Sequence, residues 1–523
     1  MGLNRLRPLR ISVAVLFFAL IACLFLDYRD LGARSFAREL LYLQFASSLL
    51  RFMHAAALGA TGFVVVLILT LFFGRVYCST ICPLGTLQDV IGFLGRRIRK
   101  RHSYQYSAPR NAIRYVILAL TVVFLIAGTG LMLNLLDPFS TFGRIFSNLV
   151  RPVVLSMNNL AAMVLEPMGV HAFYRIPWPV IAPLSVGVAI AMLVLVVLLS
   201  VKHGRLYCNT VCPVGALLGL IARFSLFRIT VDSDACTGCK LCERACKAGC
   251  IDIRNNSVDA TRCVGCYNCF AVCRDNALRL ERGWRLTPRS PQPEQDRRSF
   301  IRNSMLWLIG FSAITERTNE VLQSKPTTIP IPPTSPVSPP GSISIAHFTS
   351  TCTACHLCVS ICPSRVLVPS FLEFGLSGMM QPRMNYQAGH CDYDCMACMD
   401  VCPSGAILPM SSEKKKLTQL GVAKFIKRNC VVYTDNTDCG ACSEHCPTKA
   451  VKMVPYPNPV NKELLIPEVK EELCIGCGAC EYACPTRPYK AIYVDGKPIH
   501  TMAKKPVEKK IDHEVDYDED FPF

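Results

Sequence analysis

The stretch GRVYCSTICPLG at residues 74–85 returns, 130 residues later, as GRLYCNTVCPVG at residues 204–215. Both copies keep glycine, arginine, tyrosine, two cysteines four apart, proline and a second glycine. Two apolar runs precede each copy: roughly 9–26 and 53–73 before the first, 112–133 and 180–201 before the second. Each run approaches the ~20 residues that a helix needs to cross a bilayer. A buried core helix would show an amphipathic face, and these runs show almost no charge. The spacing therefore predicts a membrane α-helical domain of four spans, built as a parallel repeat of a two-span unit. Both motifs emerge on the same face.

Basic residues set the orientation, because they are retained on the cytoplasmic side. Arg5, Arg7 and Arg10 precede the first run; Arg96, Arg97, Arg99, Lys100 and Arg101 lie between the second and third; Lys202 and Arg205 follow the fourth. This leaves 27–52 and 134–179 as outer loops. The expected location is the bacterial inner (cytoplasmic) membrane, multi-pass. Much of the net charge of +18 lies in these flanks, so topology explains it and a nucleic-acid partner is not called for.

Thirty cysteines in 523 residues are either a disulfide scaffold or metal ligands, and spacing decides. Apart from Cys23, isolated in an apolar run, all fall into short-spaced runs. Cys236, Cys239, Cys242 and Cys246 follow the C-x2-C-x2-C-x3-C pattern, and Cys263, Cys266, Cys269 and Cys273 repeat it. In this bacterial ferredoxin pattern three thiolates grip one cube and the fourth reaches the neighbouring cube. Cys236, Cys239, Cys242 and Cys273 are assigned to one cluster, and Cys263, Cys266, Cys269 and Cys246 to the other. Cys250 is a spare able to replace Cys246.

Four further runs each end in Cys-Pro: Cys352, Cys355, Cys358, Cys362; Cys391, Cys395, Cys398, Cys402; Cys430, Cys439, Cys442, Cys446; and Cys474, Cys477, Cys480, Cys484. The second and third of these carry longer insertions after their first cysteine. Sixteen ligands make four cubes, with either adjacent or nested sharing of the fourth cysteine. Structural zinc uses two separated pairs, which six such runs do not resemble. Cys352 to His356 also matches a haem-attachment pattern, but a cube already requires both cysteines. The expectation is about six [4Fe-4S] clusters, each a one-electron carrier. No motif for flavin, nucleotide or molybdenum cofactor accompanies them, so the terminal reduction belongs to another protein.

Cys78, Cys82, Cys208 and Cys212 are candidate redox cysteines. CxxxC on a helix sets both sulfurs on one face. They bind a further metal centre, exchange thiol and disulfide while accepting electrons from quinol, or shape the helix ends.

Residues 296–302, DRRSFIR, precede the weakly apolar stretch 305–314 and read as an internal twin-arginine export signal, giving a fifth crossing and a periplasmic C-terminal region. The domains expected are 1–229, the duplicated transmembrane domain; 230–285, a two-cluster α+β ferredoxin-like module; 286–346, a linker with the export-like segment and anchor; 347–500, a four-cluster ferredoxin domain; and 501–523, a charged tail.

The paired GRxYCxxxCPxG motifs, the segment LDPFSTFGR at 136–144 and the two-cluster module resemble the NapH-type membrane ferredoxins of periplasmic nitrate reductase systems and their NosR relatives. The remainder resembles the exported NapG-type ferredoxin, so the whole looks like a NapH and NapG fusion. That resemblance implies a quinol dehydrogenase component that passes electrons from the quinone pool to a periplasmic cytochrome or reductase. The alternative function is an accessory or maturation factor that maintains a partner's metal centre.

Overall fold

The structure is a computed structural model that describes residues 5–27, 36–55, 61–98, 104–169, 171–178, 182–282, 328–330, 333–456 and 464–505. The export-like segment 296–302, the apolar stretch 305–314 and the charged tail beyond 505 lie outside the described residues.

Among the described residues three helices are long and apolar enough to cross a membrane: Leu6–Leu26, Pro138–Met168 and Pro183–His203. Their side chains remain largely exposed, as with Leu9, Val15 and Leu16 on the first, Met157, Leu160 and Met163 on the second, and Leu198 on the third. Such a surface has no aqueous explanation in a monomer and suits lipid.

Two of the four expected spans are shorter than the sequence suggests. The run 53–73 resolves into Phe45–Ala55 and the 12-residue helix Gly62–Phe73, and the run 112–133 into the 16-residue helix Asn111–Ile126 and a separate turn of helix, Leu131–Leu136. Gly74 and Gly128, both at positive φ, mark the C-terminal ends of Gly62–Phe73 and Asn111–Ile126.

A third helix also departs from the expectation, since 134–179 was read as an outer loop. Asp137-Pro138 looks like a loop signal, yet it is a helix start. The Asp137 carboxylate accepts from the Ser140 backbone N–H at 2.8 Å and Pro138 occupies the first turn, where its missing N–H costs nothing. A wide turn with i to i+5 bonding, Phe146–Val150, precedes Pro152, which has no N–H to donate back.

The chain divides into two compact units. The first holds the apolar helices, both cysteine loops of the N-terminal module, and residues 338–388 and 396–410. In its N-terminal module Phe227–Val231 pairs antiparallel with Leu278–Arg282, closing the chain around the two loops. A second short pair, Leu367–Pro369 with Pro382–Met384, follows the loop that holds Cys352 to Cys362. The second unit comprises 326–337, 389–395 and 411–523. There Thr418–Phe425 pairs with Ile492–Met502, and Val451–Pro455 with Leu465–Val469. Val432, Ala450, Val451, Ala491 and Ile492 pack directly around Cys430, Cys474, Cys480 and Cys484.

Candidate iron-sulfur centres and the membrane cysteines

A loop that wraps a cube must turn its backbone sharply between successive ligands. Four of the runs do so at the same two places. Positive φ occurs at Gly238 and Lys240, Gly265 and Tyr267, Ala354 and His356, and Gly476 and Gly478, in each case immediately before and immediately after the second cysteine. Glycine accepts this at no cost and the other residues at ~1 kcal/mol or more. Backbone N–H groups then aim at sulfur: Ala354 at Cys352 (3.5 Å), Ile407 at Cys402 (3.4 Å), Ala450 at Cys446 (3.2 Å), Ala423 at Cys474 (3.4 Å) and Ala491 at Cys484 (3.4 Å). Such donors stabilise thiolate ligands.

The groupings assigned in the N-terminal module, and those left open in the later runs, are visible as neighbourhoods. Cys242 has Cys239 and Cys273 beside it, and Cys269 has Cys266, Cys263 and Cys246. Cys358 faces Cys355, Cys352 and Cys402, so the first C-terminal run takes its fourth cysteine from the second. In the second unit Cys442 faces Cys484, Cys430 and Cys439, while Cys480 faces Cys477, Cys474 and Cys446. In these three neighbourhoods the fourth cysteine comes from the adjacent run. Cys391 and Cys395 belong to the second unit, and Cys362 and Cys398 to the first.

Burial pushes the free thiols of Cys355, Cys442 and Cys477 up to about 12 and that of Cys242 to about 11. Iron must displace those protons on binding. Cys250 sits with its Sγ 3.5 Å from that of Cys246. The hydrogen bond with Cys250 draws Cys246 down, and the hydrogen bonds with Cys246 and Cys263 push Cys250 up. Cys250 thus stands beside Cys246 and Cys263, close enough to replace Cys246. His356 is buried and held near 3, with its ring against Met380 O at 2.8 Å and Asn148 at 3.2 Å. Both ring nitrogens are engaged in that packing. Among the described residues no three His, Cys, Asp or Glu side chains converge on one ion-sized position; a cube spreads its four thiolates over four irons.

The repeated motif explains itself residue by residue. Gly74 and Gly204 turn the chain at φ 73° and 64°. Each arginine then crosses to the other copy: Arg75 Nη2 donates to Cys208 O at 2.8 Å, and Arg205 Nη1 to Cys78 O at 2.6 Å. Tyr77 takes the Phe45 N–H and donates to Gln44, while Tyr207 donates to Leu136 O at 3.1 Å. Pro83 and Pro213 open the next helices. Gly85 and Gly215 pass so close to the carbonyls of Cys78 and Cys208 that a Cβ would overlap them. All four thiols are buried and mutually close: Cys208 and Cys78 flank Cys82, and all three flank Cys212. Sequence reading found these cysteines but missed the arginines; the exchange is legible only as an arginine recurring beside a cysteine in both copies.

The two ferredoxin modules of the first unit touch its membrane helices at different levels. Asp89 gathers Arg10 (3.1 Å), Arg205 (2.9 Å) and Lys247 (3.1 Å), Lys247 being the neighbour of Cys246. Arg205 N–H also donates to Lys247 O at 2.9 Å. About 22 Å further along Leu6–Leu26, Phe25 packs on Phe139 and Phe142, and Gly143 lies against Cys355 O. The membrane cysteines touch both regions: Arg205, paired with Asp89, donates to Cys78 O, and Tyr207, beside Cys208, donates to Leu136 O.

Cluster-wrapping loops on ferredoxin-like strands, carried by apolar helices, define a membrane-associated iron-sulfur electron-transfer protein. A family model described as a 4Fe-4S binding domain matches twice, at 55–102 and 185–231; two described as 4Fe-4S dicluster domains match 351–407 and 437–487; and another 4Fe-4S binding domain matches 233–249. The methylamine utilization ferredoxin-type protein MauM of Methylophilus methylotrophus is 30% identical over 191 residues, 35% of this chain and 79% of that protein. The ferredoxin-type protein NapH of Escherichia coli K12 is 28% identical over 193 residues, 36% of this chain and 54% of NapH. The putative electron transport protein YccM of the same organism is 25% identical over 201 residues, 37% of this chain and 46% of YccM. The chain belongs to this family of ferredoxin-type proteins, and the NapH-type resemblance holds. It spans about half the length of NapH and YccM. No solved structure matches it.

Proposed function

We propose that the protein is a conduit carrying electrons from membrane quinol across the bacterial inner membrane toward a periplasmic cytochrome or reductase. Its wire is six [4Fe-4S] clusters. Two lie in the cytoplasmic module, on Cys236, Cys239, Cys242 and Cys273, and on Cys263, Cys266, Cys269 and Cys246. Four lie on the periplasmic side, on the sixteen cysteines of the four later runs, three of them on Cys352, Cys355, Cys358 and Cys402, on Cys430, Cys439, Cys442 and Cys484, and on Cys474, Cys477, Cys480 and Cys446. The membrane part is a two-fold repeat of two spans, and the chain joins a NapH-type half to a NapG-type half.

One observation carries this reading. In the first unit, the module holding Cys246 and the loop holding Cys355 meet the helix Leu6–Leu26 at levels about 22 Å apart, at Arg10 through Asp89 and at Phe25 through Gly143. That separation suits modules on two faces of a bilayer core ~30 Å thick. Basic flanks at Arg5, Arg7 and Arg10 favour the cytoplasm for the first module.

The test is reduction of the clusters in isolated membranes by added menaquinol, followed by bleaching of their visible absorbance. The conduit requires bleaching at the rate of respiration. Bleaching far slower than respiration, with a partner reductase left inactive in a deletion strain, would instead make the protein an accessory factor.

A further inference from the structure

A wire with clusters at two levels needs a carrier between them, and the first unit has four buried cysteines at that place. Cys78, Cys82, Cys208 and Cys212 are 2–4% exposed and come from the two copies of one motif. A packing role does not explain what surrounds them.

Every one of the four sulfurs faces an N–H donor. Arg75 Nη2 lies 3.9 Å from Cys78 Sγ, Gln88 Nε2 3.3 Å from Cys208 Sγ and Gly215 N 3.3 Å from Cys212 Sγ, and the Gly85 N–H points at Cys82. A neutral thiol is a weak acceptor, whereas thiolates bound to iron take such donors routinely.

Charge points the same way. Arg75 is fully buried, and its partners are Asn209 Oδ1, Thr261 O, Cys208 O and the Cys78 sulfur, none of them a carboxylate. Its Nε has no partner. Arg205 is buried beside the same sulfurs, and of the two guanidiniums Arg205 alone is paired with a carboxylate, Asp89, which leaves an excess of positive charge. Burying that excess is costly unless an anion shares the site. An oxidised cube with four thiolates supplies about two negative charges.

We propose that Cys78, Cys82, Cys208 and Cys212 ligate a further [4Fe-4S] cluster that links the two ferredoxin modules of the first unit. Its role rests on the conduit reading; its existence does not. The route on one side runs through Asn209, which donates to Ala248 O, and Arg75, which donates to Thr261 O, both beside the cluster of Cys246 and Cys263. On the other side Tyr207 reaches Leu136 O, at the start of the helix whose Gly143 touches Cys355. The step is a one-electron exchange without bond making. The cluster at Cys246, Cys263, Cys266 and Cys269 is oxidised as this one is reduced, and this one is reoxidised by the cluster at Cys352, Cys355, Cys358 and Cys402. Quinol, losing two electrons and two protons to become quinone, is the source.

Iron analysis of the full-length protein in detergent should return about 28 irons per chain rather than about 24. The double variant Cys78→Ser, Cys208→Ser should lose about four irons and one reduced-state EPR signal, keeping the others. Cys212→Ser alone should shift that same signal, which serves if the double variant does not fold. A wild-type content of about 24 irons, unchanged iron and EPR in both variants, or a disulfide between these cysteines in peptide maps of unreduced protein overturns the proposal. Failure of the conduit reading looks different: quinol leaves the clusters oxidised while the iron count stands.

Discussion

Replacing Asp89 by asparagine keeps the shape of the side chain and removes its charge. The carboxylate sits on the helix Pro83–Ile98, which is not one of the candidate spans, and is the common partner of Arg10, Arg205 and Lys247 at 2.9–3.1 Å. Each such pair contributes about 4 kcal/mol at an effective permittivity near 20 before desolvation is subtracted. Removing the shared anion leaves buried cations facing one another, so the net loss should be ~3–5 kcal/mol. Burial alone would raise the Asp89 carboxyl, but Arg205, Lys247 and Arg10 outweigh it and hold the group well below the usual carboxylate range. Its contribution is therefore complete above the unfolded value of ~3.9 and is lost only as pH falls through the lower folded value. Urea unfolding in detergent, followed by helical circular dichroism, should show the D89N deficit constant between pH 7 and pH 5. A deficit under ~0.5 kcal/mol, or one that halves over that range, refutes the reasoning.

Other substitutions probe separate parts of the account. Gly85→Ala drives a methyl into the Cys78 carbonyl and the Arg205 guanidinium and should destabilise by ~1–3 kcal/mol or more, while Gly187→Ala, with open space around it, should not, both measured by thermal unfolding. Arg75→Gln removes a cation beside the membrane cysteines. It should lower the potential of their centre by on the order of 50 mV in EPR-monitored titration and leave the ferredoxin-module signals unmoved. Cys402→Ser should disturb the EPR signal of the cluster on Cys352, Cys355 and Cys358, whereas nested sharing would require it to disturb a signal from the second unit.

Much of the candidate site was legible because cluster ligation imposes spacing. Two intervening residues let a loop step from one iron to the next, and the alternating left-handed residues at Gly238 and Lys240 or Gly476 and Gly478 are the conformational trace of that step. The sharing of Cys402 and Cys484 was not legible, since either order satisfies the spacing and only packing brings Cys402 beside Cys358. The shortened helices and the helix Pro138–Met168 went unread for a local reason: hydropathy registers neither Thr61 as the start of Gly62–Phe73, nor Gly128 as an end, nor Asp137 as a cap. The arginine exchange escaped because a basic residue beside an apolar run reads first as a topology marker. Arg205 was among those markers, yet its guanidinium is buried against Cys78.

The central claim is that electrons cross the membrane through this chain. Protein reconstituted into sealed liposomes enclosing ferricyanide, with an impermeant reductant outside, tests it most directly. The account requires internal ferricyanide to bleach at a rate proportional to the protein present and to slow in the Cys78→Ser, Cys208→Ser variant. Liposomes in which the clusters on the outer side become reduced while the enclosed ferricyanide keeps its colour would contradict it.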